Sequence, residues 1–499
     1  MFKTFSRISA CAALAASLFL SSAASAQDLV VTIPSLNDVQ TKVSAIAGKI
    51  NPSYTLLVNM TLGQSAAFGI DPSKPIAIYA DSNENGFSVT GFVPVKSQKM
   101  FDSQLEALKE KGQIPELKVE SKDGYSILLF NQESAGDIPQ IDAPKTVNLK
   151  MNPKVLIPIL DQQIAAAELL QDDAEKETKK VNLERMKRNM EQMEEITFSL
   201  DASESGDMAV SFGAKPAEGT EIAQNYANTE KLTTSVLGGF FDKKAPFAAQ
   251  FLGTFDENNR KDLVEFLTSS DKFPKELADV ILKAMEVEKF NLACSFYPDK
   301  LGVQGILAMG IANGDKINAA IEKAIGKMDK DAGIQGKANA GTIGKSITVH
   351  EFSFENEGET KNLAVAVHPK YLFLAVAPLG ESAVDYLKVA FKEKGLKPSE
   401  VKKSAQVHFN MELISSLANL AGAKEEIDYV GDVNYVGGFA NGQFNGTVKI
   451  NGDLFETIGK IIEASTAGGD DDDDDLFGDD DDDDDDTTEA LDPPADDKE

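Results

Sequence analysis

The sequence predicts an α+β fold: two related domains of antiparallel sheet, built from repeated strand-turn-strand-helix units with helices on one face. Three observations predict it. Short segments alternate apolar and polar residues, as in KPIAIYA (74–80) and FSVTGFVPV (87–95). That alternation marks half-buried antiparallel strands, not the continuous apolar runs of a buried parallel sheet. Amphipathic helical stretches come after the hairpins, and the same order of motifs returns later in the chain.

The chain opens with MFKTFSRISACAALAASLFLSSAASAQ. Lys3 and Arg7 form a positive start, an apolar stretch runs from Ala10 to Leu20, and Ala24-Ser25-Ala26 supplies small residues for cleavage. This is the pattern of a secretory signal peptide, with cleavage expected after Ala26. Its apolar stretch is far shorter than the ~20 residues of a membrane span. No later segment is long and apolar enough either, so the mature protein is expected to be exported, periplasmic or extracellular, and not transmembrane. After cleavage only Cys294 remains. One cysteine forms no intrachain disulfide, so the fold must rest on hydrophobic cores.

The units come in order. After the first hairpin, Phe101, Leu105 and Leu108 share one face of a helix at 99–112 that Gly112 stops. KFNLACSF (289–296), YPDK and LGVQGILAM (301–309) precede DKINAAIEKAIGKM (315–328). NLAVAV, HPK and YLFLAVA precede ESAVDYLKVAFKEKG (381–395), and YVGGFA, the turn NGQFNG and TVKI precede DLFETIGKIIEAS (453–465). ITFSLDASESGDMAVSF (196–212) ahead of TEIAQNYAN keeps the same order. A hairpin with one apolar face is unstable alone in water, and a helix laid on it buries that face.

Three longer matches split the chain in two. FSVTGF (87–92) matches LGVQGI (301–306), GYSILLF (124–130) matches GKSITVHEF (344–352), and TVNLKMN (146–152) matches QVHFNME (406–412). We expect a first domain over 27–232 and a second over 233–466, the second carrying an extra hairpin and helix at 362–395.

One segment departs from the scheme. Residues 153–196 hold no glycine, and no proline after Pro158. They predict one long helix or a helical hairpin leaving the first domain. Leu183, Met186, Met190 and Met193 are spaced as a narrow seam, which packs on its own sheet, serves as a candidate docking surface for a protein partner, or forms a lid over a hydrophobic ligand.

The last residues are set apart by charge. Residues 470–499 hold 19 acids and one lysine, which is −18 of the chain's −31. Such a tail repels itself and has almost nothing to bury, so a disordered segment is expected from about 467. Nucleic acid is an unfavourable partner for so acidic a chain. Aspartate oxygens are hard ligands suited to Ca²⁺. Asp470, Asp471, Asp472, Asp479, Asp480 and Asp481 are therefore the candidate ligands of weakly bound calcium; the alternatives are a solubilising bristle and contact with a basic partner. The aspartate run resembles that of calsequestrin-type calcium stores, over the tail alone.

No residue set reads as catalytic. NAGTIGKS (339–346) lacks the first glycine of a phosphate loop, and a helix is expected before it and a strand after, the reverse of a phosphate loop's order. It reads as a turn. His350, His368 and His408 have no metal-binding spacing, and no G-x-S-x-G elbow occurs. We therefore expect no enzyme and no resident cofactor.

The leader, the strand-helix units and the segment GDMAVSFGAKPAEGTEIAQNYAN (206–228) resemble large exported bacterial proteins of unknown function built from two related α+β halves. That resemblance implies location and architecture, and no reaction. The expected role is a non-enzymatic exported binding or scaffold protein; the alternatives are a carrier of an apolar small molecule or lipid, and low-affinity cation binding by the tail.

Overall fold

The computed structural model describes residues 24–83, 86–112, 117–134, 137–168, 173–255, 260, 264, 282–300, 302–328, 334–356, 358–415 and 429–467. In chain order the first strands are β1 (Ala24–Ile33), β2 (Ile76–Asn83), β3 (Gly86–Pro94), β4 (Lys118–Lys122), β5 (Tyr125–Phe130), β6 (Val147–Met151), β7 (Met193–Ala202) and β8 (Met208–Pro216). Later strands are β9 (Thr234–Ser235), β10 (Phe247–Thr254), β11 (Lys289–Asp299), β12 (Gly302–Gly310), β13 (Ile334–Ile343) and β14 (Ile347–Asn356). The last are β15 (Glu359–His368), β16 (Tyr371–Val376), β17 (Ser399–Glu400), β18 (Ala405–Asn410), β19 (Asp432–Ala440) and β20 (Gln443–Ile450).

The predicted α+β class holds, and eighteen of these strands join in one antiparallel sheet. Its ladders run β4-β5-β3-β2-β1-β6-β7-β8-β20-β19-β18-β10-β11-β12-β16-β15-β14-β13. β9 and β17 pair separately. Moving out from the β8–β20 join, the two halves repeat one order. β7, β6, β1, β2 and β3 on one side answer β19, β18, β10, β11 and β12 on the other.

The register repeats too. Asn148 pairs Thr32, which pairs Ala77, which pairs Phe92. His408 pairs Ala248, which pairs Ser295, which pairs Ile306. Phe92 and Ile306 are equivalent by both strand order and the FSVTGF match, and Asn148 and His408 by both strand order and the TVNLKMN match. At the join, Ser211 pairs Thr447 at the midpoint of the ladder. The GYSILLF match is corrected: β5 pairs β3, whereas β16, and not β14, pairs β12. The added hairpin of the second half is thus β13–β14. A short glycine-to-strand motif fits any hairpin entry, which is why it misled.

Helix α1 (Leu36–Ile50) is capped by Ser35, whose hydroxyl accepts the Asp38 amide at 3.0 Å. Helix α2 (Pro52–Gly63) starts at Asn51 with proline in its first turn. Helix α3 (Gln98–Glu110) buries Phe101 and Leu105. The expected long helix of 153–196 is instead a 3₁₀ turn (Pro153–Leu156), α4 (Ile157–Ala167) and α5 (Asp173–Glu191), with Met193 to Ile196 already in β7. This is the hairpin alternative. Lys187 reaches Asp161 and Lys180 reaches Glu168, tying the two helices. The helical composition hid the boundary, because MEEITF holds β-branched residues too few to outweigh the run before it.

The remaining helices are α6 (Glu221–Glu230), α7 (Gly314–Ile325), α8 (Ala383–Glu393) and α9 (Asp453–Ala467). They divide between both faces of the sheet. α8 and the 3₁₀ turn Gly238–Phe240 cover Ala293, Ala308, Val349, Ala366 and Phe373. On the other face, Ile317 of α7 packs with Val367, Met309 and Leu372. Among the described residues no helix is long and apolar enough to cross a membrane. β1 pairs continuously over Leu29–Ile33, so cleavage after Ala26 leaves that ladder whole.

Candidate functional site

Residues paired directly across antiparallel strands point to the same side. One such row crosses the whole sheet without a charge. It reads Val119, Leu128, Gly91, Ile78, Val31, Leu149, Phe198, Phe212, Gly446, Gly437, Ala405, Phe251, Leu292, Met309, Leu372, Val367, Thr348 and Thr342. Two residues along each strand, the neighbouring row is Phe130, Val89, Ala80, Leu29, Met151, Ile196, Ala214, Phe444 and Phe439. The opposite face is largely polar at the join, with Asn148, Ser199, Ser211, Thr447, Val436, Gln406 and Gln250 in one row.

Two glycines let aromatic rings lie on the uncharged face. A Cβ at Gly446 would stand 2.6 Å from Phe212 Cζ, and one at Gly437 would stand 3.0 Å from Phe444 Cζ. The rings therefore settle over bare backbone. Phe212 stacks on Tyr435 with centroids 6.0 Å apart and planes 4° apart, and lies 5.7 Å from Phe444. Burial pushes the Tyr435 phenol above its usual pKa, so it stays neutral.

Beside this pavement lies a cleft of about 390 Å³, lined by aromatic residues Phe251, Phe255, Phe290, Tyr435, Phe439 and Phe444 together with Ala405, Leu252, Gly253, Thr254 and Ser404. Among the described residues no charged one lines it. Its size falls in the range of small-molecule pockets. Helix α6 packs against two of these residues, with Tyr226 4.8 Å from Phe439 and 6.4 Å from Phe444, centroid to centroid. Thr220 caps α6. Its other end is held by Thr229, whose hydroxyl accepts the Thr254 amide at 3.1 Å. The Glu230 carboxylate accepts the amides of Asn441 and Gly442 at 3.0 and 3.1 Å. Those two residues, with φ of 53° and 70°, form the two-residue turn between β19 and β20. The expected turn NGQFNG is thus only Asn441-Gly442; Gln443 onward is strand.

A second cleft of about 380 Å³ lies on the polar side of the join, among Asp201, Asp207, Asp432, Asn434, Lys449 and Asn451. His408 Nδ1–H donates to Asn434 Oδ1 at 2.8 Å. His350 is on the uncharged face under α7: its Nδ1 accepts the Asn339 amide at 3.3 Å, which leaves Nε2–H to donate to Asn318 Oδ1 at 2.8 Å. Burial lowers its pKa. His368 ends β15 at the β15–β16 turn, paired with and stacked on Tyr371. The three histidines have different partners and form no common site. NAGTIGKS is the end of β13 and a turn, with Gly344 at φ 62°, that leads into β14. A strand, not the expected helix, precedes it, because its small residues disguise the alternation. Cys294 is buried and free, and burial raises its thiol pKa.

The candidate calcium ligands Asp470, Asp471, Asp472, Asp479, Asp480 and Asp481 lie outside the described residues. The Met seam is split: Leu183, Met186 and Met190 are on α5, with Met186 47% exposed, and Met193 is in β7. The aromatic cleft was missed from sequence. Its signal was there as FNLACSF, YVGGFA and QFNG, yet only the ladder order brings them together. No protein-family model matches the chain, and no curated protein or solved structure is significantly similar to it.

Proposed function

We propose that the protein is an exported, non-enzymatic binding protein that carries an apolar small molecule or lipid in the aromatic cleft. The reading includes two related domains, 27–232 and 233–466, joined where β8 meets β20. One observation carries it: a cleft of about 390 Å³ with aromatic walls and, among the described residues, no charged one, continuous with an uncharged sheet face. Burial of apolar surface is a sufficient driving force, at about 25 cal/mol per Å². Leaving such a face in water serves no structural purpose.

The test is native mass spectrometry of the mature protein taken gently from an expressing cell. The expected result is an excess mass that is lost on denaturation and absent from a Phe439→Asp variant. A ladder of calcium masses that disappears with the tail would assign cation binding to the aspartates instead. A bare mass, together with failure of any apolar dye to bind, would overturn the carrier reading.

A further inference from the structure

Helix α7 covers the uncharged face of the second half, and a histidine lies beneath it. Ile317 of α7 packs on Val367, with Met309 and Leu372 beside them. These three sheet residues continue the row that leaves the cleft at Phe251 and passes through Leu292. Next to Val367, His350 pairs Val365 and is fully buried. Its ring ties two elements together. Nε2–H donates to Asn318 Oδ1 of α7 at 2.8 Å, and Nδ1 accepts the Asn339 amide of β13 at 3.3 Å. Asn318 in turn donates to Glu322 Oε1, one turn along α7, at 2.8 Å. Asn339 stands in the left-handed region, with φ of 50°, inside the bulge where β13 leaves its register with β14 between Lys337 and Gly341.

Both ring nitrogens are therefore committed, and only the neutral ring satisfies both. A second ring proton turns Nδ1 into a donor aimed at the Asn339 N–H. That amide then loses its acceptor in a buried place. The charged groups around the ring do not offset this. On α7, Glu322 is half-buried with one oxygen taken by Asn318, and burial outweighs its pull on the ring, lowering the His350 pKa. Asp315, Lys316 and Lys323 of α7 are exposed. Lys337 of β13 pairs Glu351 of β14, on the opposite face from His350. On β15, Lys361 is engaged with Asp299. His368 ends β15 beside the start of α7, where the Gly314 amide donates to Pro369 O at 3.3 Å. Its Nδ1 accepts the Lys370 amide at 3.1 Å. Burial and Lys370 lower its pKa as well, but its ring reaches solvent, so acid acts there in the same direction and more weakly.

We propose that α7 is an acid-released cover: protonation of His350 frees the helix from the β13 bulge and bares the apolar face beside the cleft. In the opened form His350 is in water and takes a proton near its ordinary pKa of about 6.5. The closed form binds that proton less readily. Opening is therefore favoured as pH falls below about 6.5, and levels off once the closed form is protonated too. The release needs no ligand, so it stands apart from the carrier reading.

Hydrogen exchange of the full mature chain, compared near pH 7.5 and near pH 5.5 and corrected for the intrinsic chemistry of exchange, tests it. Opening of 314–325 and 334–343 should be at least about threefold greater at the lower pH, with α6 unchanged. The readout is the ratio between the two pH values, so a variant that is looser at both still reports. His350→Gln should bring the ratio close to one. Asn318→Asp places a carboxylate against the protonated ring and should hold the cover shut in acid, which a purely structural role would not do. His368→Gln should keep most of the effect. If His350→Gln does not fold, Asn318→Asp carries the test alone. A ratio unchanged in both variants, or acid opening no greater in α7 and β13 than in α6, would overturn the proposal.

Discussion

The two halves of the sheet share strand order and register, yet they are covered differently. In the second half, Phe240 is fully buried against Phe373 and Phe391, with centroids 5.4 and 5.6 Å away, and α8 completes a broad core. In the first half the same face holds Ala77, Tyr79, Phe92, Ile127 and Leu129, covered by Ile138 and Ile141 of a loop. The uncharged face differs too. α7 packs on it in the second half, while Ile78 and Phe198 stay partly exposed in the first. A repeated ladder fixes which residues share a face. The helix or loop after each hairpin decides whether that face becomes core or surface.

The largest effect that would break this comparison is expected in the better covered half. Phe240→Ala should cost about 4 kcal/mol, and Phe92→Ala in the thinner core about 3. Shifts in denaturant midpoint measure both; equal or reversed losses would mean that the cover does not set the strength of the halves.

The ion pair Lys361–Asp299 belongs only to the second half. Lys361→Ala leaves the carboxylate nearly buried without its partner and should cost about 3 kcal/mol, whereas Lys361→Met with Asp299→Leu should recover most of it. Burial alone would raise the Asp299 pKa, but its hydrogen bond from Lys361 and those from the Lys300 and Leu379 amides outweigh burial and hold it low. A depressed carboxylate stabilises the fold above its unfolded value, about 4, and that contribution is lost as pH falls through the lower folded value. The acid limb of stability should flatten in the double variant.

His350 sharpens the comparison at milder pH. Burial depresses its pKa, with Glu322 opposing, so the unfolded chain binds the proton more readily. Stability should fall as pH drops below about 6.5, the unfolded value, and His350→Gln should remove that slope. The smallest effect is on α5, where Lys187→Ala breaks a solvated pair with Asp161; its midpoint should not move.

Legibility in the sequence depended on the kind of information each feature needs. Hairpins were readable because alternation and turn residues are local, as with KPIAIYA and FSVTGF. Two of the three internal matches fell on equivalent strands for the same reason. The third failed because pairing partners are not local: nothing in GKSITVHEF says that β16 will reach β12 first. The boundary at Met193 was hidden by helix-forming neighbours. The cleft was invisible because its walls come from β10, β11, β18, β19 and β20 and the residues beside them, and sequence does not order strands. Gly446 falls in the expected turn NGQFNG and Gly437 in the strand segment YVGGFA, and neither position signals the rings that lie over it.

The central claim is that one face of the sheet binds an apolar ligand and the other does not. Val436 and Phe439 test it on a single strand, since β19 points them to opposite sides. Both are partly exposed, so aspartate at either should leave the fold intact. Titration of an apolar naphthylamine dye into Phe439→Asp should show affinity reduced at least tenfold, with Val436→Asp unchanged. Equal binding by the two variants would contradict the account.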